Sequence, residues 1–303
     1  MAGRGGAGAR PDVTAPPREG GVVPPVSEVE QGRRSYRRSR ERRSTGIAVL
    51  STVLFAVVLV LGTTSAPGWP RTQESFLDPE VAKQSFPLVL EGLWLNVRVL
   101  VVAAVCVLVV GLVVALLRTL RGPVWAPVRI VATAYTDVFR GLPLIVLLYI
   151  VGFGVPGLRL QGVPTSAVVL GTIAIVLTYG AYVAEVFRAG IESVHPSQRA
   201  AARALGLTHR QTTRLVVLPQ AVRTVTPPLL NDLVALQKDV GLISVLGAID
   251  AVRQAQIQSA QTADFTPYVV AGLLFVLLAV PTVRLADWAT ARARRRQQAG
   301  GVL

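Results

Sequence analysis

Among the polar side chains in one long apolar run are Asn231, Lys238 and Asp239. Groups of this kind are expensive inside a bilayer and usually serve a function there. Asn231 and Lys238 are seven residues apart, which returns them to nearly one helical face. Lys238 and Asp239 are adjacent, so they point about 100° apart and cannot pair face to face. At least one must reach a water-filled cavity or a neighbouring helix. An ammonium or an amide suits a carboxylate, and a carboxylate suits an amine, so the column fits a path for a zwitterion. The same residues equally fit a structural task, tying helix ends or a dimer seam together. Tyr182 and Glu185 share another face at i, i+3, with Arg188 three residues further on. Their two readings are a local Glu185–Arg188 pair and a gate or substrate contact. Asp137 and Arg140 repeat the spacing.

Other chemistries find no constellation. The single cysteine, Cys106, lies in an apolar block, so an internal disulfide, a CxxC pair and a cysteine zinc site are excluded. There are two histidines, His195 and His209, both in one polar stretch, and no metal site is expected. No serine motif stands near Lys238, which argues against a membrane-embedded enzyme. The chain lacks the G-x-x-x-x-G-K-[ST] phosphate loop, and "GRGGAGAR" near the start has neither the lysine nor the strand and helix such a site needs. No cofactor is therefore expected on this chain.

The elements that must position these residues are membrane helices. Of 303 residues 51% are hydrophobic and 16% charged, against roughly 25% charged in a soluble domain. Six blocks approach the roughly 20 apolar residues a spanning helix needs: Gly46–Gly62, Leu93–Leu117, Val128–Val151, Ser166–Phe187, Val225–Leu246 and Tyr268–Leu285. Pro143 is expected to kink the third. Gly111, Gly171 and Gly180 are expected to admit close helix packing. With the N-terminus inside, the inside segments hold 24 of the 31 basic residues and the outside loops hold 4. Basic residues favour the cytoplasmic side, so both termini are expected in the cytoplasm of a multi-pass plasma-membrane protein. The same distribution explains the net charge of +14 without nucleic acid. Residues 1–45 are Gly-, Pro- and Arg-rich and are expected to be a disordered basic tail. The run "RRSYRRSRERRS" then acts as a topology signal beside anionic lipid. An uncleaved anchor at 46–62 is favoured over a cleaved signal peptide, because Pro67 would sit just after the cut.

One segment breaks the apolar pattern. "VHPSQRAAARALG", Val194–Gly206, is alanine-rich and arginine-studded and falls on the cytoplasmic side. Pro196 suits the first turn of a helix and Gly206 its left-handed cap. Thr208 can cap a second short helix, "HRQTTRLVVL", which Pro219 is expected to stop. Both helices are too short to stand alone in water. A lipid-surface helix would carry bulky apolar anchors; this one has alanines and Leu205, so docking on a partner protein is favoured.

The stretch "SQRAAARALGLTHRQTTRLVVLP" resembles the cytoplasmic loop of ABC transporter permeases. That pattern is E-A-A, three residues, G, nine residues, I, one residue, L-P. Here it reads Ala200-Ala201-Ala202, Gly206, Val216, Leu218-Pro219. The family's glutamate is replaced by Ala200, and its glycine before Gln198 by Ser197. Four further segments narrow the resemblance to the polar amino-acid uptake branch of type I importers: "GLWLNVRV" with Asn96 where threonine is usual, "YTDVFRGLPLIV", "AYVAEVFRAGIESV", and "LPQAVRTVTPPLLNDLVALQKDVGL" with Val240 and Gly241 for the usual Thr-Ser. It runs from about Gly92 to Arg284.

The resemblance implies an all-α integral membrane fold of five core helices, to which 46–62 adds one in front. It implies a disordered tail at 1–45, an extracytoplasmic loop at 63–92, a core at 93–287 with a coupling loop at 195–219, and a basic tail at 288–303. It implies docking to an ATPase through Gln198, Arg199, Ala200, Ala201, Ala202, Arg203, Gly206, Leu218 and Pro219. The implied partners are ATPase subunits that bind ATP and Mg, a second permease subunit, an extracytoplasmic solute-binding protein and a polar amino acid. Opines, cystine and other small polar solutes are the alternative cargo. A non-transporting scaffold of the same fold is the alternative role, motivated by Ala200.

Overall fold

The computed structural model describes residues 28–120 and 122–299, with side chains over 44–292 apart from residue 121. Every regular element among them is helical. The chain falls into two units, 1–69 and 70–303.

In the first unit, α1 spans Glu28–Thr64. Residues 28–45, expected to be disordered, are helical: arginine, glutamate and glutamine are good helix formers and feed directly into the apolar run. The expectation for 1–27 lies outside the described residues. Ser44–Thr64 is long and apolar enough to cross a membrane, and none of it is buried.

In the second unit, α2 (Trp69–Phe76) precedes α3 (Pro79–Thr119). The loop expected over 63–92 is thus largely helical, and the first core helix starts well before Leu93. Asp78 explains the early start: its Oδ1 accepts the Glu80 and Val81 amides at 2.8 and 3.2 Å, and Pro79 fits the first turn. Next come α4 (Ala126–Gly141), α5 (Leu144–Tyr149), a π-helical turn (Ile150–Gly154) and α6 (Val155–Gly157). The expected third span is therefore broken at Leu142–Pro143, where the axis turns by 107°. Proline disfavours helical backbone in the residue before it, and Leu142 is extended.

α7 (Ala167–Glu192) leads through α8 (Pro196–Ala204) and α9 (His209–Thr212) into α10 (Leu218–Asp239). Pro219 does not stop the second loop helix. A π-helical turn, Thr213–Val217, joins α9 to α10 and places Pro219 in the first turn of α10. The widened turn relieves the ring clash and the missing N–H of proline. A 3₁₀ segment (Val240–Leu246), α11 (Ala251–Thr262) and α12 (Thr266–Ala299) complete the unit. The C-terminal tail expected from 288 is helical to Ala299. Among the described residues four helices are long and apolar enough to span, or five if the bent pair counts as one; α10 is not among them.

The core lies where α3, α7 and α10 meet. Val99, Ala103 and Val107 pack with Ile175, Tyr179 and Val183, closed by Leu236, Val240 and Ile243. The two long helices α3 and α7 come close at Gly111, where a Cβ would fall 2.5 Å from Val183 Cγ1. Gly171 and Gly180 are similarly tight, against Ile243 and against Tyr135 and Val110.

Candidate functional site

The unit has two ends, one carrying the 195–219 loop and one far from it. At the far end Asn96 is wholly buried. Its Nδ2 donates to Val240 O at 3.2 Å and to Asp250 Oδ2 at 2.9 Å, and its Oδ1 accepts the Ala251 amide at 3.1 Å. One side chain thus ties α3 to the 3₁₀ segment and to the start of α11, which Asp250 caps through Arg253 N at 2.9 Å. Burial pushes the Asp250 carboxyl above the usual carboxylate range, partly offset by these hydrogen bonds. Gly92, a turn before Asn96, has no room for a Cβ, which would lie 2.5 Å from Asp250 C.

At the loop end Glu185 collects three arginines from three helices. Arg118 Nη1 of α3 donates to its Oε2 at 2.7 Å, Arg188 pairs with its Oε1, and Arg140 of α4 lies 3.9 Å away. Arg188 also reaches Glu192 at 2.7 Å. The local Glu185–Arg188 pair is present, and it belongs to a larger cluster. Tyr182 OH donates to Arg140 O at 3.2 Å, and the Arg140 guanidinium stands 5.7 Å from the Tyr182 ring centroid.

The loop has the expected two-helix shape. His195 caps α8, its Nδ1 accepting the Ser197 amide at 3.2 Å. Gly206 adopts φ +83°, the left-handed turn between the helices. Thr208 and Gln211 form a capping box for α9. The loop residues divide by exposure. Ala202 is buried, and Arg199 folds back to donate to Ile191 O at the end of α7. Gln198, Ala200, Ala201, Arg203 and Gly206 are exposed, and Leu205 is 84% exposed. Leu218 is also exposed, while Pro219 begins α10.

The polar column of α10 is split. Asp239 accepts Tyr179 OH at 2.8 Å across the α7–α10 contact. Asn231 and Lys238 share an exposed face, and Lys238 is turned about 180° from Leu229, which lines a groove on the opposite side. Because α10 begins at Leu218, seven residues before the expected start of the fifth span at Val225, Lys238 lies about 30 Å along it.

That groove, about 300 Å³ between α3, α7 and α10, is walled by Ala104, Val107, Val183, Leu229 and Leu233, with Asp232 in its lining. Asp232 Oδ2 is buried and has no hydrogen-bond partner. Asp232, Tyr179, Arg118 and Asp250 were not singled out by sequence reasoning. A signal existed for the first: Asp232 and Asp239 repeat the seven-residue spacing of Asn231 and Lys238 one position on.

Comparison with known proteins accounts for this arrangement. Residues 108–295 match the family described as binding-protein-dependent transport system inner membrane component. The chain is 35% identical over 205 residues to the arginine transport system permease protein ArtQ of Bacillus subtilis (strain 168), covering 67% of this chain and 90% of that one. It is 37% identical over 191 residues to the putative glutamine transport system permease protein GlnP of Rickettsia conorii (strain ATCC VR-613 / Malish 7), covering 63% and 85%. A crystal structure of an amino acid ABC transporter with histidines superposes with a TM-score of 0.65 at 31% identity, covering 71% of this chain and 99% of that one. Matched along most of its helical core, this chain belongs to the family of binding-protein-dependent transport system inner membrane components.

Proposed function

We propose that this chain is the permease subunit of an ATP-driven importer of polar amino acids. It alternates access to a path through its helices, and the 195–219 loop docks on a separate ATPase chain that binds ATP and Mg. A second permease subunit and a separate extracytoplasmic solute-binding protein complete the assembly. The distribution of basic residues supports placing both termini on the ATPase side of the plasma membrane. The exposed Ala200, Ala201 and Arg203 of α8, with the exposed Leu205 just after it, support the loop as the docking element.

The observation that carries the amino-acid reading is Asp232. A carboxylate oxygen buried without a partner is costly, and this one borders an apolar groove of the size that small ligands fill. An ammonium or guanidinium group supplies the missing partner, while the apolar walls take an aliphatic stem.

The test is reconstitution in liposomes with the cognate ATPase and receptor, following ATP hydrolysis against a panel of receptor-loaded amino acids. Stimulation by one or a few is expected. Asp232→Asn is expected to cut transport while leaving the assembled complex intact. An assembled complex that answers to no amino acid overturns the reading.

A further inference from the structure

The far end of the unit also carries a cleft of about 620 Å³. Tyr149 and Phe153, stacked at 5.9 Å, line it together with Tyr268. Arg253 lines it from α11. A second cleft of about 400 Å³ shares Ser244, Val245 and Val252 with the first and contains Lys238. The two adjoin through these shared residues and are taken together as one recess with two cations.

Neither cation is neutralised. The ion pairs among the described residues use Arg118, Arg140 and Arg188. Arg253 Nη1 donates to the neutral Gln256 Oε1 at 2.6 Å. The position of the recess matters too. Lys238 is twenty residues from Leu218, about 30 Å along α10 from the loop. Arg253 lies beyond the end of α10, on the connection to α12. The recess therefore lies toward the end of the unit away from the 195–219 loop, and aromatic side chains line it. An arginine and a lysine without an acidic partner in a recess lined by aromatic side chains call for an oxyanion, which a guanidinium meets with two parallel hydrogen bonds.

We infer that this recess is an anion subsite that takes one carboxylate or phosphate group, with Arg253 as the fork and Lys238 as the second positive charge. It is separate from the Asp232 groove, which lies on the opposite face of α10. Two sources carry the right chemistry: the phosphate of an anionic lipid headgroup, and the α-carboxylate of an arriving amino acid. The second source rests on the amino-acid reading proposed above; the first does not.

The experiment uses the full chain in phosphatidylcholine nanodiscs, with Lys238→Gln, Arg253→Gln and the control Arg98→Gln, whose arginine is exposed on α3 outside the recess. One arm counts phosphatidylglycerol retained in native mass spectrometry. The other compares binding of radiolabelled arginine with its decarboxylated amine, agmatine. Removing a charge-assisted contact is expected to weaken binding on the order of tenfold in one arm, with Arg98→Gln unchanged. Loss of retained phosphatidylglycerol identifies the lipid; loss of the preference for arginine over agmatine identifies the substrate. Should Arg253→Gln fail to fold, Arg253→Lys keeps the charge, removes the fork and must show the weakening. Unchanged binding in both arms, or an equal loss in Arg98→Gln, overturns the subsite. Failure of amino acids to stimulate the reconstituted ATPase, with phosphatidylglycerol binding intact, overturns the amino-acid reading and leaves the subsite standing.

Discussion

At the far end of the core, Asn96 holds Val240, Asp250 and Ala251 in a site closed to water. At the loop end, Glu185 holds Arg118, Arg140 and Arg188 at positions that water still reaches. Both fasten three segments with one side chain, yet they differ physically. A buried, fully paired amide loses its hydrogen bonds at full desolvation cost. A partly exposed carboxylate among three arginines can exchange one partner for another, or for water, at lower cost. The far end is built to stay closed and the loop end to rearrange, which suits the coupling role proposed for the loop.

The comparison is most directly broken at Asn96. Asn96→Leu strands the Asp250 carboxylate and the Ala251 amide and is expected to cost about 3–5 kcal/mol, read as a lower melting temperature or lost monodispersity in detergent. Wild-type melting would show that the far end is fastened by something else. Gly92→Ala is next: its Cβ meets backbone at Asp250, and overpacking of this kind costs about 1–3 kcal/mol. Its counterpart at the loop end, Gly141→Ala, meets nothing within 4 Å and is expected to be neutral in the same melting assay.

The loop end should respond in coupling more than in stability. Gly206→Pro removes φ +83° and the Gly206 amide bond to Arg203 O, a local cost of about 1–3 kcal/mol. The expected result is ATP hydrolysis that persists while transport falls, in a protein still inserted in the membrane. Full transport would remove the coupling assignment. Glu185→Gln is expected to cost about 1–3 kcal/mol, less than Asn96→Leu, because the cluster is partly exposed and keeps access to water. Its effect should appear in transport and shrink at high salt; a melting loss as large as that of Asn96→Leu would erase the distinction between the ends.

The smallest effect is a slope with pH. Burial raises the Asp250 carboxyl, so the folded protein binds a proton there more readily than the unfolded chain does. The stability this contributes is complete below the unfolded carboxyl value of about 4 and is lost as pH rises through the raised folded value. Wild-type melting should therefore fall between pH 4 and pH 7 more than that of Asp250→Asn; equal slopes would assign the dependence to other groups.

The helical membrane class, the Pro143 break, the turn at Gly206 and the glycine contacts at Gly111, Gly171 and Gly180 were legible in the sequence, because each rests on local backbone preference or on apolar block length. The loop's two-helix form was legible for the same reason, through Thr208, Gln211 and Gly206. Pro219 misled because a proline stops a helix only when the turn before it is α-helical, and here that turn is π-helical. Helix limits also shifted where a capping residue, Asp78, outweighed the polar composition of 63–92.

The sequence by itself determined which residues are polar within the apolar runs and roughly which helical face each occupies. Only the tertiary structure decided their partners. Asp239 could have met solvent or another helix until α7 brought Tyr179 to it. Asn96 reads as a departure from a threonine until Val240 and Asp250, over 140 residues away, close around it. Asp232 reads as one more acidic residue until the walls of α3 and α7 bury its oxygen. Local preference acts over a turn or two of chain, whereas burial and pairing depend on which helices lie alongside, and that is a property of the packed fold.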